Sequence, residues 1–271
     1  MALSAVPAIN VVALCGSLRK ASFNRGLIRS AIQIGEESIK GMKIEYVDIS
    51  ALPFINTDLE VGGTYPPVVE AFRQKILAAD CFLFASPEYN YSVTPPLKNA
   101  IDWASRPPNV WAGKSAAIVS AGGGFGGGRA QYHLRQIGVF IDLHFINKPE
   151  FFLAAFQPPQ KFDSDGNLLD AQAKENLKAV LLSLLSFTSK LNGKRQASQA
   201  LPSGFNAVEE QPARLPDAAI AGVSDTTHVR GHGVAEGDHG NASITDTSKL
   251  TLPPPSADQN ASVKKKPPAK G

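Results

Sequence analysis

The sequence predicts an α/β domain built on a five-stranded parallel sheet of order 2-1-3-4-5 with helices on both faces. Three observations carry this expectation. Short runs rich in β-branched and apolar residues recur along residues 1–192. Amphipathic stretches of helical length separate them. The runs stay apolar at consecutive positions, as strands buried on both faces do, where half-buried strands would alternate with polar residues. Alternation of strand and helix on this scale specifies parallel pairing, because each crossover must be long and right-handed.

The first run, residues 8–15 (AINVVALC), ends at Gly16 and reads as the first strand. A helix follows over 24–39, with Leu27, Ile28, Ala31, Ile32 and Ile34 along one side. Residues 43–49 give a second strand, 67–79 a second helix, and 80–86 (DCFLFAS) a third strand. Residues 97–105 continue as a helix, 115–121 (SAAIVSA) form a fourth strand, and a glycine cluster leads into a helix through 134–137. The stretch 142–156 supplies a fifth strand, and 171–191 a final amphipathic helix carrying Leu177, Val180, Leu181, Leu184 and Leu185. Five such units in so short a chain suit a flavodoxin-like sheet better than a longer dinucleotide-binding one.

Composition divides the chain at about Asn192. Residues 193–271 are dominated by Gly, Pro, Ala, Ser, Asp and Asn and end in Lys264-Lys265-Lys266-Pro267-Pro268. Such a segment buries too little apolar surface to offset the entropy of ordering it, so a disordered tail is expected. The net charge of +3 is too small to imply nucleic acid, and part of the basic excess lies at the C-terminal end. That end allows at most weak electrostatic contact with an anionic membrane, since stable anchoring needs a second signal. Cys15 and Cys81 sit inside apolar runs and read as reduced core thiols. Neither a secretory start nor an 18-residue apolar span is visible, so a soluble cytoplasmic protein is expected.

In an open parallel sheet of this order, a ligand binds beyond the carboxyl ends of strands 1 and 3, where the strand order reverses. The most unusual loops follow those two strands. Residues 16–24, Gly-Ser-Leu-Arg-Lys-Ala-Ser-Phe-Asn, join a buried strand to a helix N-terminus, a ready anion site. Ser17, Ser22 and Asn24 add neutral donors there and Arg19 a cationic one, a set suited to a phosphate monoester such as that of FMN. Helix capping by Ser22 or Asn24 is the plainer role, and it is compatible with anion binding. The second loop carries Pro87-Glu88-Tyr89-Asn90-Tyr91-Ser92, whose aromatics and amide suit a flat heteroaromatic ligand. A third loop, 120–129, is rich in glycine, which lets backbone approach a flat ring closely.

Here the sequence resembles the NAD(P)H-dependent FMN reductase and quinone reductase family. The first loop carries the resemblance, together with residues 87–92 and Leu97-Lys98-Asn99-Ala100-Ile101-Asp102-Trp103, on the expected strands and over about residues 9–137. The resemblance implies non-covalent FMN, with NADPH or NADH as co-substrate. It implies Ser17, Arg19, Ser22 and Asn24 around the phosphate. It places Pro87, Glu88, Tyr89 and Asn90 along the isoalloxazine and ribityl chain, and Ser120, Gly122 and Gly123 at the ring. It further implies a homodimer or homotetramer whose interface borders the flavin site. The expected activity is two-electron transfer to quinones or similar small acceptors by ping-pong exchange, with no catalytic side chain. The other readings are a flavodoxin-like electron carrier, usually strongly acidic and so disfavoured by the charge, and a redox sensor acting through a protein partner.

Four decoys fall away. Residues 122–127 fit G-x-G-x-x-G but follow the fourth strand, not the first of a dinucleotide-binding unit. Gly113-Lys114-Ser115 lacks the glycine and strand that a phosphate-binding P-loop needs upstream. His228, His232, Asp238 and His239 lack metal-site spacing, and Glu88 shows no acidic partner for paired acid–base work.

Overall fold

The structure, a computed structural model, describes residues 8–199. Its elements run β1 (Ile9–Cys15), α1 (Phe23–Ser38), β2 (Met42–Val47), α2 (Pro67–Ala78), β3 (Cys81–Ala85), α3 (Pro95–Ser105), β4 (Lys114–Gly122), α4 (Gly128–Phe140), β5 (Leu143–Phe145), β6 (Phe152–Ala154) and α5 (Ala171–Gln199). The main path of the sheet is β2-β1-β3-β4-β5, and every pairing is parallel. The fold is therefore flavodoxin-like.

Alternation of side chains along the strands sorts the core into two layers. Val11, Ala13, Cys15, Leu83 and Val119 face Leu27, Ile28 and Ala31 of α1 and Leu177, Leu181 and Leu184 of α5. Val12, Leu14, Phe82, Phe84 and Ile118 face Phe72 and Ile76 of α2, Leu97 and Ile101 of α3, and Leu134 of α4. Each Val, Leu, Ile or Phe side chain among these, once fully buried, contributes about 1.5–3 kcal/mol relative to exposure. Cys15 and Cys81 are both buried free thiols, as their apolar surroundings in the sequence imply. Burial pushes the Cys81 thiol up to about 12, so it stays protonated and inert.

Two elements depart from the sequence expectation. The strand expected over 142–156 is split: β5 pairs with Lys114–Ala116 of β4, and β6 pairs further along, with Ser120–Gly122. The intervening Asn147-Lys148-Pro149 is polar, and a proline has no N–H to give a ladder, so the chain leaves the sheet and returns. Helix α5 also continues past Leu191 to Gln199. Its last residues lose the apolar stripe, but Lys, Arg, Gln and Ala are favourable helix formers. The tail expectation, the histidines beyond residue 199 and the polybasic end lie outside the described residues. No described helix is long and apolar enough to cross a membrane.

The layer of α2 and α3 is tied together by Arg73, which is buried. Its guanidinium donates to the carbonyls of Trp103 (2.8 Å), Arg106 (2.9 Å) and Pro108 (2.8 Å) and lies 4.3 Å from the Tyr65 ring centroid. The long β2–α2 connection is pinned to α3 as well. Trp103 Nε1 and Asn99 Nδ2 both donate to the Pro53 carbonyl, at 2.7 and 2.8 Å.

Candidate functional site

At the reversal of strand order, the loops after β1 and β3 touch directly. Thr94 Oγ1 donates to the Gly16 carbonyl at 2.6 Å, and Gly16 N–H donates to the Ala85 carbonyl at 2.9 Å. Only glycine fits at residue 16: a Cβ there would lie 2.3 Å from Ser86 Oγ. This crossing forms the floor of a cleft of about 330 Å³ that the loop after β4 closes on its third side.

The first wall is the β1–α1 loop. Ser22 occupies the N-cap of α1 in extended conformation and makes no side-chain capping bond. The first-turn N–H groups of α1 have no intrahelical acceptor and carry the positive end of the helix dipole. Ser17 and Ser22 are buried along this wall, and Arg19 is exposed at its rim with its guanidinium 5.6 Å from the Phe23 ring centroid. Cys15 lies beneath. Burial raises its thiol above the ordinary range, and the Ser17 N–H and Ser22 hydroxyl oppose that only in part, so it is no nucleophile.

Asn24 has a different task from capping. Its Nδ2 donates to the Ala121 carbonyl at 2.8 Å, and its Oδ1 accepts from Ala121 N–H at 3.0 Å. Strand β3 pairs with β4 only as far as Val119. One rung further, the Asn24 amide takes the place of the missing strand and fastens the end of β4 to α1. One Nδ2 hydrogen remains for the cleft, which Asn24 lines.

The second wall follows β3. Residues 89–92 form a two-residue hairpin turn in which Tyr89 and Ser92 exchange backbone bonds of 3.0 Å, with φ +48° at Asn90 and +67° at Tyr91. Both central residues are left-handed, the geometry of a I′ turn, which asparagine tolerates well. Asn90 therefore sits at an exposed tip outside the cleft, while Pro87, Glu88 and Tyr89 line it. Glu88 is held by the start of α4, through basic and backbone donors. One oxygen accepts from Arg129 N–H (2.9 Å) and Ala130 N–H (3.3 Å), and the other from the Arg129 guanidinium (3.2 Å). Gly127, the N-cap of α4, has no side chain, so Glu88 caps that helix from across the cleft. Arg129 completes the latch, 4.1 Å from the Tyr91 ring centroid and 5.1 Å from that of Phe125.

The third wall is the glycine run after β4. A Cβ added at Gly123 or Gly124 would meet nothing within 4 Å, so bare backbone borders open space there. Of the residues singled out in the sequence, Ser17, Arg19, Ser22, Asn24, Pro87, Glu88, Tyr89, Gly122 and Gly123 line this one cleft. Asn90 and Ser120 do not. Ser120 is wholly buried behind the glycine turn, with its hydroxyl on the Gly126 carbonyl. Phe23, Phe125, Arg129 and Phe156 line the cleft without having been singled out. Phe125 and Arg129 stood within the glycine loop already noticed; nothing in the sequence marks Phe156, which arrives from beyond β6.

The donor set fits FMN: serine hydroxyls, one arginine and a helix N-terminus for the phosphate, and side-chain-free backbone for a flat ring. The comparisons with known proteins agree. The family described as NADPH-dependent FMN reductase matches residues 9–158. The chain is 74% identical over 192 residues to the NAD(P)H:quinone oxidoreductase of Solanum tuberosum, covering 71% of this chain and 99% of that protein. It is 74% identical over 188 residues to the NADPH:quinone oxidoreductase of Arabidopsis thaliana, covering 69% of this chain and 96% of that protein. Among solved structures, FerB, a flavoenzyme NAD(P)H:(acceptor) oxidoreductase of Paracoccus denitrificans, superposes with a TM-score of 0.59 at 29% identity, covering 68% of this chain and 98% of that one.

Proposed function

The chain belongs to the NADPH-dependent FMN reductase family and is an FMN- and NAD(P)H-dependent oxidoreductase, and from that premise we propose that it passes two electrons from NAD(P)H to quinones. The observation that carries this reading is the single cleft at the strand-order reversal, with an anion-receptive helix start on one side and bare glycine backbone on another. The choice of acceptor is supported by the two plant relatives, which are named as quinone oxidoreductases.

FMN, when bound, supplies the redox chemistry of accepting a hydride and giving up two electrons. The chain's own residues bind and orient. Ser17, Arg19 and Ser22 hold the phosphate with the first-turn N–H groups of α1, and Asn24 keeps the β4 end in register with them. Pro87, Tyr89, Gly122 and Gly123 border the ring, and Glu88 keeps the second and third loops together through α4. NAD(P)H and the quinone use this one cleft in turn, so no side chain need form a bond.

Two outcomes test this. The purified protein should carry FMN at about one per chain, and NADPH oxidation should give parallel double-reciprocal lines as quinone is varied; converging lines would sink the alternating use of one cleft. Arg19→Ala should weaken FMN binding about tenfold. That is about 1.4 kcal/mol, the low end for a hydrogen bond to a charged group, because Arg19 is exposed. An unchanged dissociation constant would remove Arg19 from the site.

We further propose that residues 1–192 suffice for this activity, in the cytoplasm and as a homodimer or homotetramer. The Solanum relative matches over 192 residues and is itself covered to 99%. Phe54, Val61, Val139 and Phe140 are 79%, 70%, 83% and 86% exposed, apolar side chains that a subunit interface would cover. A chain truncated after Asn192 should retain FMN, quinone reduction and the native oligomer mass in analytical ultracentrifugation. Loss of FMN, or a monomer, would contradict the proposal.

A further inference from the structure

Behind the glycine turn lies a buried polar chain that the binding of ligand does not itself require. Ser120 and Gln131 are 0% and 2% exposed, and neither lines the cleft. Gln131 Nε2 donates to the Phe151 carbonyl at 2.8 Å and to Ser120 Oγ at 2.7 Å. Ser120 Oγ donates in turn to the Gly126 carbonyl at 2.6 Å.

The direction of this chain is determined at one end. A carbonyl only accepts, so Phe151 holds the amide with nitrogen inward; turned over, the Gln131 oxygen would face another oxygen. Both Nε2 hydrogens are then used, one of them on Ser120. The serine has a single O–H, which is thereby directed to Gly126. Meanwhile Gln131 Oε1 is buried without a hydrogen-bond partner among the described residues. A buried, unpaired amide oxygen is unfavourable, and an apolar side chain would fill the same volume without it. What the glutamine supplies and an apolar residue would not is the directed donor.

The recipient is the turn of residues 123–126, closed by Gly126 N–H on the Gly123 carbonyl at 2.8 Å. Its next residue, Gly127, has φ +85°, and Ser120 Cβ would lie only 2.9 Å from a Cβ placed there. The relay thus grips the turn by its carbonyl from the side away from the cleft.

We propose that Ser120 and Gln131 are positioning residues for bound FMN. By drawing the Gly126 carbonyl inward, the relay keeps the turn's N–H side toward the flavin ring, where negative charge accumulates on reduction. The inference rests on the FMN reading above. It also reassigns Ser120 from ring contact to support.

A double-mutant cycle on the full-length protein tests it, with Ser120→Ala, Gln131→Met and the double variant. The readouts are FMN titration of the apoprotein and the two-electron reduction potential of the bound FMN. Each single variant should weaken oxidised FMN about threefold and reduced FMN about thirtyfold. That tenfold difference lowers the potential by about 30 mV. The double variant should match Ser120→Ala alone, because members of one relay do not add. Multiplying effects, or a potential equal to that of the wild type, would overturn the proposal, since a packing contact alone would affect both redox states equally. If these variants do not fold, Ser120→Cys, nearly the same shape with only a weak S–H donor, should weaken reduced FMN about threefold; no change would be equally decisive against it. A wild-type protein that takes up no FMN overturns the site reading and this inference together, whereas FMN uptake with a multiplying cycle overturns the inference alone.

Discussion

Asn24→Ala should lower stability by about 2–5 kcal/mol and abolish tight FMN binding. The amide is 2% exposed and makes both of its bonds to one residue, Ala121, itself 3% exposed. Its removal leaves a buried backbone N–H and a buried C=O without partners, each costing about 1–3 kcal/mol. For a domain of this size the loss corresponds to a fall in Tm of roughly 5–15 °C. FMN affinity should fall as well, since the same bonds hold the glycine loop in register with the first-turn N–H groups of α1. Asn24→Asp discriminates the two effects. It still accepts from Ala121 N–H but sets a carboxylate against the Ala121 carbonyl and beside the phosphate site, so it should lose more FMN affinity than stability. Thermal melts and FMN titrations of both variants check this. A Tm within about 2 °C of wild type for Asn24→Ala would show that the clamp contributes little.

Arg73→Met should cost about 3–5 kcal/mol while leaving FMN affinity unchanged. The guanidinium is 3% exposed and satisfies three carbonyls at once, those of Trp103, Arg106 and Pro108. Methionine fills part of the volume but strands all three acceptors, and charge-assisted bonds are each worth more than neutral ones. Arg73→Lys should recover less than half of the loss, because an ammonium lacks the planar fork that reaches three separate carbonyls. The residue sits in the α2–α3 layer and is absent from the cleft lining, which is why binding should be spared. Urea denaturation of the two variants provides the measurement. A destabilisation below about 1 kcal/mol, or a lost flavin, would contradict the assignment.

What could be read from the sequence was whatever depends on neighbours along the chain. Continuous apolar runs identified β1, β3 and β4 as strands buried on both faces, and the alternation with helices then allowed only a parallel, doubly wound sheet. The position of the site followed, because the reversal of strand order is a property of topology and needs no side-chain contacts. The first loop was legible locally, since Ser17, Arg19 and Ser22 ahead of a helix start bring hydroxyls, a guanidinium and first-turn N–H groups together without any distant partner. The break of the 142–156 strand was legible in principle from Pro149, but a short polar interruption does not say whether the chain returns to the same neighbour.

Only the tertiary structure decided the tasks of residues whose partners lie far along the chain. Asn24 meets Ala121 97 positions on, and Glu88 meets Arg129 41 positions on, so neither the clamp nor the remote helix cap has a local signature. Asn90 and Tyr91 are turned outward by a I′ turn whose left-handed backbone no Asn-Tyr pair announces. Ser120 faces away from the cleft because, at a period of two, it points to the opposite side of β4 from Ala121. Apolar burial is non-directional and so leaves its pattern in sequence, whereas a hydrogen bond requires a particular partner at a particular angle. The scaffold and the location of the site are therefore written in the chain's periodicity, and the division of labour within the site is written only in its three-dimensional contacts.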